Sequence, residues 1–169
     1  MKNSIVLITA FLLVSLANVS SAQIVVGTFD SRCVAAAYYR SADFLDKIDE
    51  MKAEHTAAEE AGDTELAAAL AAQGEEQQRL THLRVFSAGD IEEIIWLIWS
   101  ELPAVAEEAG VDVIVSIWDI VYRDDDIRFV DVTDRLVVFF DPSDETLELI
   151  DEIKGAPAIP APLISGSDH

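Results

Sequence analysis

The chain has 169 residues, with 11 basic against 32 acidic side chains, a net charge of −21 and a single cysteine. Such a charge repels nucleic acid and anionic lipid and favours basic partners. One cysteine excludes an internal disulfide, and Cys33, set among alanines, reads as a buried structural thiol.

The first 22 residues have the form of an export signal. Met1, Lys2 and Asn3 give a short positive start, residues 5–16 an apolar run too short to span a bilayer comfortably, and Ser20 and Ala22 the small residues before a cut at Ala22/Gln23. The expectation is a periplasmic or secreted protein with no stable membrane insertion. Residues 23–169 suffice for one domain with a real core.

Residues 24–29 read as a first strand. Asp30 or Ser31 then caps a helix over 32–61. Its seam of Ala37, Ser41, Phe44, Ile48, Met51, His55 and Ala58 steps by four and three, the spacing of a helix lying along another. Gly62-Asp63 stops that helix and starts a second over 64–86, with Leu66, Ala69, Gln73, Glu76, Leu80 and Leu83 at the same spacing. At ~1.5 Å per residue the pair would project as an arm of roughly 35–45 Å. The arm is rich in Ala, Glu and Gln, so it buries little.

Ser87-Ala88-Gly89-Asp90 has the form of a capping box with Asp in place of Glu, and a third helix follows to Gly110, kinked or broken at Pro103. Residues 94–99 are apolar on every side. One face can cover a sheet, and the others need a neighbouring subunit or the base of the first helix. Val111, Val113, Val115 and Ile117 alternate as a half-buried strand. Residues 120–122 follow across Trp118-Asp119, too close for an intervening helix, so the two runs are expected to pair as an antiparallel hairpin.

Asp131 or Thr133 caps a short helix to Phe140, residues 143–154 form an amphipathic helix, and 155–169, with Pro157, Pro160 and Pro162, read as a disordered tail. The expected fold class is α+β: a small antiparallel-containing sheet from both chain ends, a long inserted helical hairpin over about 32–87, and an extra C-terminal helix.

Chemistry-bearing motifs are sparse. No nucleophile elbow or phosphate loop is readable. His55, His82 and His169 lack metal-ligand spacing. Asp124, Asp125 and Asp126 with Asp131 and Asp134 resemble a calcium loop only in composition, because Arg128 and Phe129 intrude. No catalytic residue, metal or cofactor is expected.

Four short segments resemble the OmpH/Skp family of periplasmic chaperones. Phe29-Asp30-Ser31-Arg32-Cys33-Val34 is similar to the family's strand-to-helix run. Ala109-Gly110-Val111-Asp112-Val113-Ile114-Val115, Ile120-Val121-Tyr122 and Asp131-Val132-Thr133-Asp134 are similar to its helix end, hairpin and final helix start. The resemblance implies a homotrimer, not an enzyme, whose arms hold unfolded envelope proteins without ATP. Ile94, Trp96, Trp99, Phe44 and Met51 are the candidate contacts to clients or to other subunits. The chain departs from the family in its acidity and in the added residues 139–154. The alternative is an acidic envelope binding or scaffold protein on the same fold that has lost chaperone activity and docks basic partners.

Overall fold

The computed structural model describes residues 23–164. The expected export signal, and residues 165–169 of the expected tail, lie outside the described residues.

The fold is mostly helical around three strands. β1 (Val25–Phe29) lies in the middle, β2 (Val113–Ser116) on one side and β3 (Arg128–Asp131) on the other, and both pairings are parallel. Val26 stands beside Val113 and Phe29 beside Ser116, while Val25 stands beside Arg128 and Thr28 beside Asp131. Both ends of the chain thus contribute to one sheet, but the expected antiparallel-containing sheet is corrected to an all-parallel one.

The reason lies in Trp118-Asp119. A two-residue hairpin needs a positive φ at its first central position, which Gly or Asn supplies and Trp does not. Neither residue adopts it here. Instead Ser116 Oγ accepts a hydrogen bond from the Trp118 amide at 3.2 Å, and residues 117–119 wind into a 3-10 turn. The chain then returns to the amino ends of the strands through a loop in which Val121 is 100% exposed, and the third strand enters only at Arg128.

β1 reads Val-Val-Gly-Thr-Phe without clean alternation, as suits a central parallel strand covered on both faces. Gly27 is required by close approach: a Cβ there would stand 3.0 Å from Val111 Cγ2 and 3.1 Å from the Val113 carbonyl oxygen.

α1 (Ser31–Tyr39) leaves β1 directly, with Asp30 as its cap. Cys33, Val34, Ala35, Ala36 and Ala37 are all buried, and these small side chains let neighbouring helices approach from several sides. The expected continuous helix over 32–61 breaks at Arg40. There Ser41 restarts the chain as α2 (Ala42–Ala61), its Oγ accepting from the Phe44 amide at 3.3 Å.

α3 (Thr64–Phe86) runs back along α2 from a tip made by Gly62, at φ 71°, and Asp63, whose carboxylate accepts from the Leu66 amide at 3.0 Å. At ~1.5 Å per residue the two helices are about 30 and 35 Å long. Phe44, Ile48, Met51, His55 and Ala58 form the α2 seam. On α3 Leu80 and Leu83 are partly buried as expected, but the outer part of the seam is displaced by one residue. Ala67, Leu70, Gly74 and Gln77 are partly buried, whereas Leu66, Ala69, Gln73 and Glu76 are exposed. An alanine-rich strip offers little energetic preference between registers, so the cap at the tip and the buried Arg84 and Val85 at the base decide it.

α4 (Glu92–Leu97), a 3-10 turn (Trp99–Glu101) and α5 (Leu102–Ala109) replace the expected single third helix. Pro103 falls in the first turn of α5, where its missing N–H removes no bond, so it starts a helix. Gly110, at φ 64°, ends it. α6 (Thr133–Val137) and α7 (Asp144–Gly155) complete the body around α1. Ile94, Leu136, Ile150 and Val34 are among its largest fully buried side chains. Beyond α7 the chain turns back, and the Ile159 amide donates to the Phe86 carbonyl at 2.8 Å.

Candidate functional site

Parallel strands present all their carboxyl ends on one side, and the turns that leave them converge there. β1 hands over at Asp30, β2 at Ser116 and β3 at Asp131. Asp30 is the hub. Its carboxylate accepts from the Arg32 amide (3.0 Å), the Arg32 guanidinium (2.7 and 3.1 Å) and the Trp118 indole N–H (2.9 Å). Its own amide donates to Thr133 Oγ1 at 3.0 Å. Arg32 also donates to the Ile153 and Ala156 carbonyls at 2.9 and 3.0 Å and lies over the Trp118 ring, 4.6 Å from its centroid. One buried ion pair therefore ties the start of α1, the end of α7 and the loop after β2 together.

Beside this hub opens a cleft of about 500 Å³ between the turn after β2, residues 88–91 and α4. All three tryptophans of the chain line it. Trp96 and Trp99 are 57% and 55% exposed and stack with ring centroids 4.6 Å apart. Trp118 forms the opposite wall. The charged side chains of the lining are Asp90, Glu92 and Asp119, and among the described residues none that lines it is basic. Asp90 Oδ1 accepts from the Glu92 amide at 2.9 Å, and Glu92 Oε1 accepts a long bond of 3.4 Å from the Trp96 indole. Past the far side of α4, Leu97, Val138 and Phe139 are exposed around two smaller hollows of about 370 and 430 Å³.

The sequence-derived candidates divide. Trp96 and Trp99 stand on the cleft. Ile94, two residues before Trp96, is fully buried and anchors α4 in the core. Phe44 is buried at the base of the arm against Tyr38 and Tyr39. Met51 sits on the arm seam, beside a hollow of about 320 Å³ shared with His55, Leu70 and Gly74. Read from the sequence, Asp30, Asp90 and Trp118-Asp119 have only structural roles, as caps and a turn, and neither they nor Arg32 are marked as a site. Their signal was present: Asp30 follows one strand directly, Trp118-Asp119 follow another, and the carboxyl ends of parallel strands are where sites form. Reading an antiparallel hairpin hid it.

Among the described residues no group of three or more His, Cys, Asp or Glu is placed to hold a metal ion, and no helix is long and apolar enough to cross a membrane. Burial pushes the Cys33 thiol up to about 12, far from the thiolate form that would react. Burial also raises the Tyr39 phenol, opposed by the Arg84 guanidinium that donates to it at 2.6 Å. What the cleft can do is stack planar groups and attract positive charge.

Comparison with known proteins brings no further family or fold evidence: no family model matches the chain, and no curated protein and no solved structure is significantly similar to it. The OmpH/Skp resemblance thus rests on its quoted residues alone. Of these, Ile120-Val121-Tyr122 lie in the loop between β2 and β3, outside the sheet.

Proposed function

We propose that the protein is an exported, non-catalytic binder of unfolded or extended envelope polypeptides that works without ATP. The observation that carries this reading is the amount of large apolar surface left open on both sides of α4. Trp96 and Trp99 are exposed on the cleft side of α4, and Leu97, Val138 and Phe139 past its far side. Exposed side chains of this size, with carboxylates beside them, are the surface of an interaction site. A lightly packed helical arm beside them suits a client that has no fixed shape. The acidic surface keeps the loaded protein soluble and favours basic segments. Association of several copies belongs to the same reading, because among the described residues β2 and β3 each leave an unpaired edge.

The test is suppression of aggregation. A denatured β-rich client diluted into buffer should stay soluble in the presence of a molar excess of the protein, and the Trp96→Ala/Trp99→Ala double variant should protect it less. Light scattering at equal or higher intensity with the protein present would overturn the proposal. The second reading, an acidic scaffold for a folded basic partner, is favoured by the net charge of −21. It predicts capture of folded basic proteins, lost steeply with salt, and no protection of unfolded ones.

A further inference from the structure

We infer that the tryptophan-lined cleft grips the side-chain cation of an extended basic segment, arginine in preference to lysine. The inference rests on the polypeptide-binding reading and names what one of its sites holds.

Three observations converge on it. The first is the pair of indole faces. Tryptophan is the best aromatic partner for a cation, and a guanidinium also stacks on it as a plane. Trp96 and Trp99 are more than half exposed and held against each other, so their faces are set before a ligand arrives.

The second is charge. Asp90, Glu92 and Asp119 surround the cleft, and among the described residues none of the three takes part in an ion pair. Glu93, next in sequence to Glu92, is instead paired with Arg84 at 2.6 Å. The chain neutralises the carboxylate beside the cleft and leaves those of the cleft itself open.

The third is an internal precedent. Trp118 already carries a guanidinium on one face, that of Arg32, whose charge Asp30 neutralises at 2.7 Å. This wall of the cleft therefore combines indole, carboxylate and guanidinium within the molecule. Because the buried cation is paired, it does not repel a second one.

Size and donor chemistry narrow the occupant. About 500 Å³ lies within the range of ligand clefts and exceeds what one side chain fills, leaving room for flanking backbone. A neutral sugar would also stack on tryptophan, but a sugar hydroxyl seeks donors as well as acceptors. The polar side chains of the lining are three carboxylates, two serines and the indoles; Ser31 and Ser116 are buried, and Trp118 spends its N–H on Asp30. A cation needs acceptors only.

The experiment titrates the full chain, by tryptophan fluorescence and calorimetry, with four probes of similar length. These are an alternating Arg-Gly peptide, its Lys-Gly and Glu-Gly counterparts, and a neutral β-glucan oligosaccharide. The expected order is arginine, then lysine, with no binding of the glutamate peptide or the glucan. Trp99→Ala should weaken the arginine peptide about tenfold, and Asp119→Asn and Glu92→Gln about threefold each. All three positions are exposed, and unchanged circular dichroism checks that the variants fold. Binding of the glucan in place of the arginine peptide would overturn the inference. So would arginine binding that ignores Trp96→Ala and Trp99→Ala, which would mark general attraction to an acidic surface. Protection of a denatured client without arginine-peptide binding would remove the cleft and leave the chaperone-like reading standing. Peptide binding without protection would do the reverse.

Discussion

The body and the arm are both largely helical and are held by different means. In the body, α1 is buried on nearly every side, and Ile94, Leu136 and Ile150 fill the space around it. Along the forty-odd residues of the arm only Phe44, Ala58, Arg84 and Val85 are buried, and three of those lie at its base. The arm is therefore a helical hairpin stabilised by its caps and its internal hydrogen bonds more than by a core. Helices of that kind are marginal alone and open locally before the rest of a protein does. Stability and accessibility are divided between the two regions, with the tryptophan cleft at their junction.

Two aspartates make the contrast sharpest. Asp30 and Asp63 each cap a helix with one carboxylate oxygen, at 3.0 Å from the second and third amide beyond them respectively. Asp30 is buried with Arg32 and also holds Trp118; Asp63 is exposed at the arm tip. Asp30→Ala leaves a buried guanidinium without its partner and should cost about 3–5 kcal/mol. Asp63→Ala removes a solvated cap and should cost about 1 kcal/mol. Urea unfolding measures both. Equal losses would mean that the Asp30–Arg32 pair is not the fastening of the body, and only Asp30→Ala should red-shift the tryptophan emission.

Apolar truncation should divide the same way. Ile94→Ala empties a fully buried site and should lose about 3 kcal/mol. Leu66→Ala, on the outer side of α3, should change stability by less than about 0.5 kcal/mol. A large loss from Leu66→Ala in the isolated chain, growing with protein concentration, would show that this face of the arm is covered by another copy.

A third difference is in alkali. Cys33 belongs to the body, and its thiol is raised from 9.0 to about 12 by burial first and the nearby Asp30 second. The folded state then holds its proton more tightly than the unfolded state. The stabilisation is complete below pH 9 and declines as pH rises toward about 12, at up to ~1.4 kcal/mol per pH unit. Tyr38 and Tyr39, also raised by burial, join only above pH 10. Between pH 9 and 10 the slope of unfolding free energy should be present in the wild type and absent in Cys33→Ala. A flat profile in both would place the thiol in a wetter site than α1 provides.

How much of this was readable beforehand follows the same division. Strong local signals worked: Gly62-Asp63 turns the arm, Gly110 ends α5, Ser143 starts α7, and the α2 seam carries Phe44, Ile48 and Met51 because large side chains recur there at helical spacing. Weak periodicity failed. On α3 alanines occupy adjacent positions, so a seam through Leu66 and one through Ala67 look alike, and distant caps decide. Alternation at Val111, Val113 and Val115 identified a strand but not its inner face, since Val113 and Ile117 are exposed while Ile114 packs on the core and Ser116 is buried. Strand direction, in turn, depends on where the chain goes next. That depended on Trp118 being unable to make a tight hairpin turn. The cleft was hidden for the same reason, since its walls come from segments far apart in sequence that only parallel strands bring to one end.

The smallest expected effect asks whether the arm's looseness is a property of its sequence or of its length. Gly74 lies in the middle of α3, facing the hollow by Met51, and a Cβ there would touch only Met51 Cε, at 3.8 Å. Glycine inside a helix costs roughly 0.5–1 kcal/mol relative to alanine. Gly74→Ala should therefore strengthen the arm by about that amount without touching the body. Hydrogen exchange separates the two: amides of α2 and α3 should slow by a few fold, while those of α1 and β1 stay as they were. If instead the whole chain slows together, arm and body open as one unit, and a client held beside Trp96 and Trp99 would meet a rigid wall in place of a yielding one.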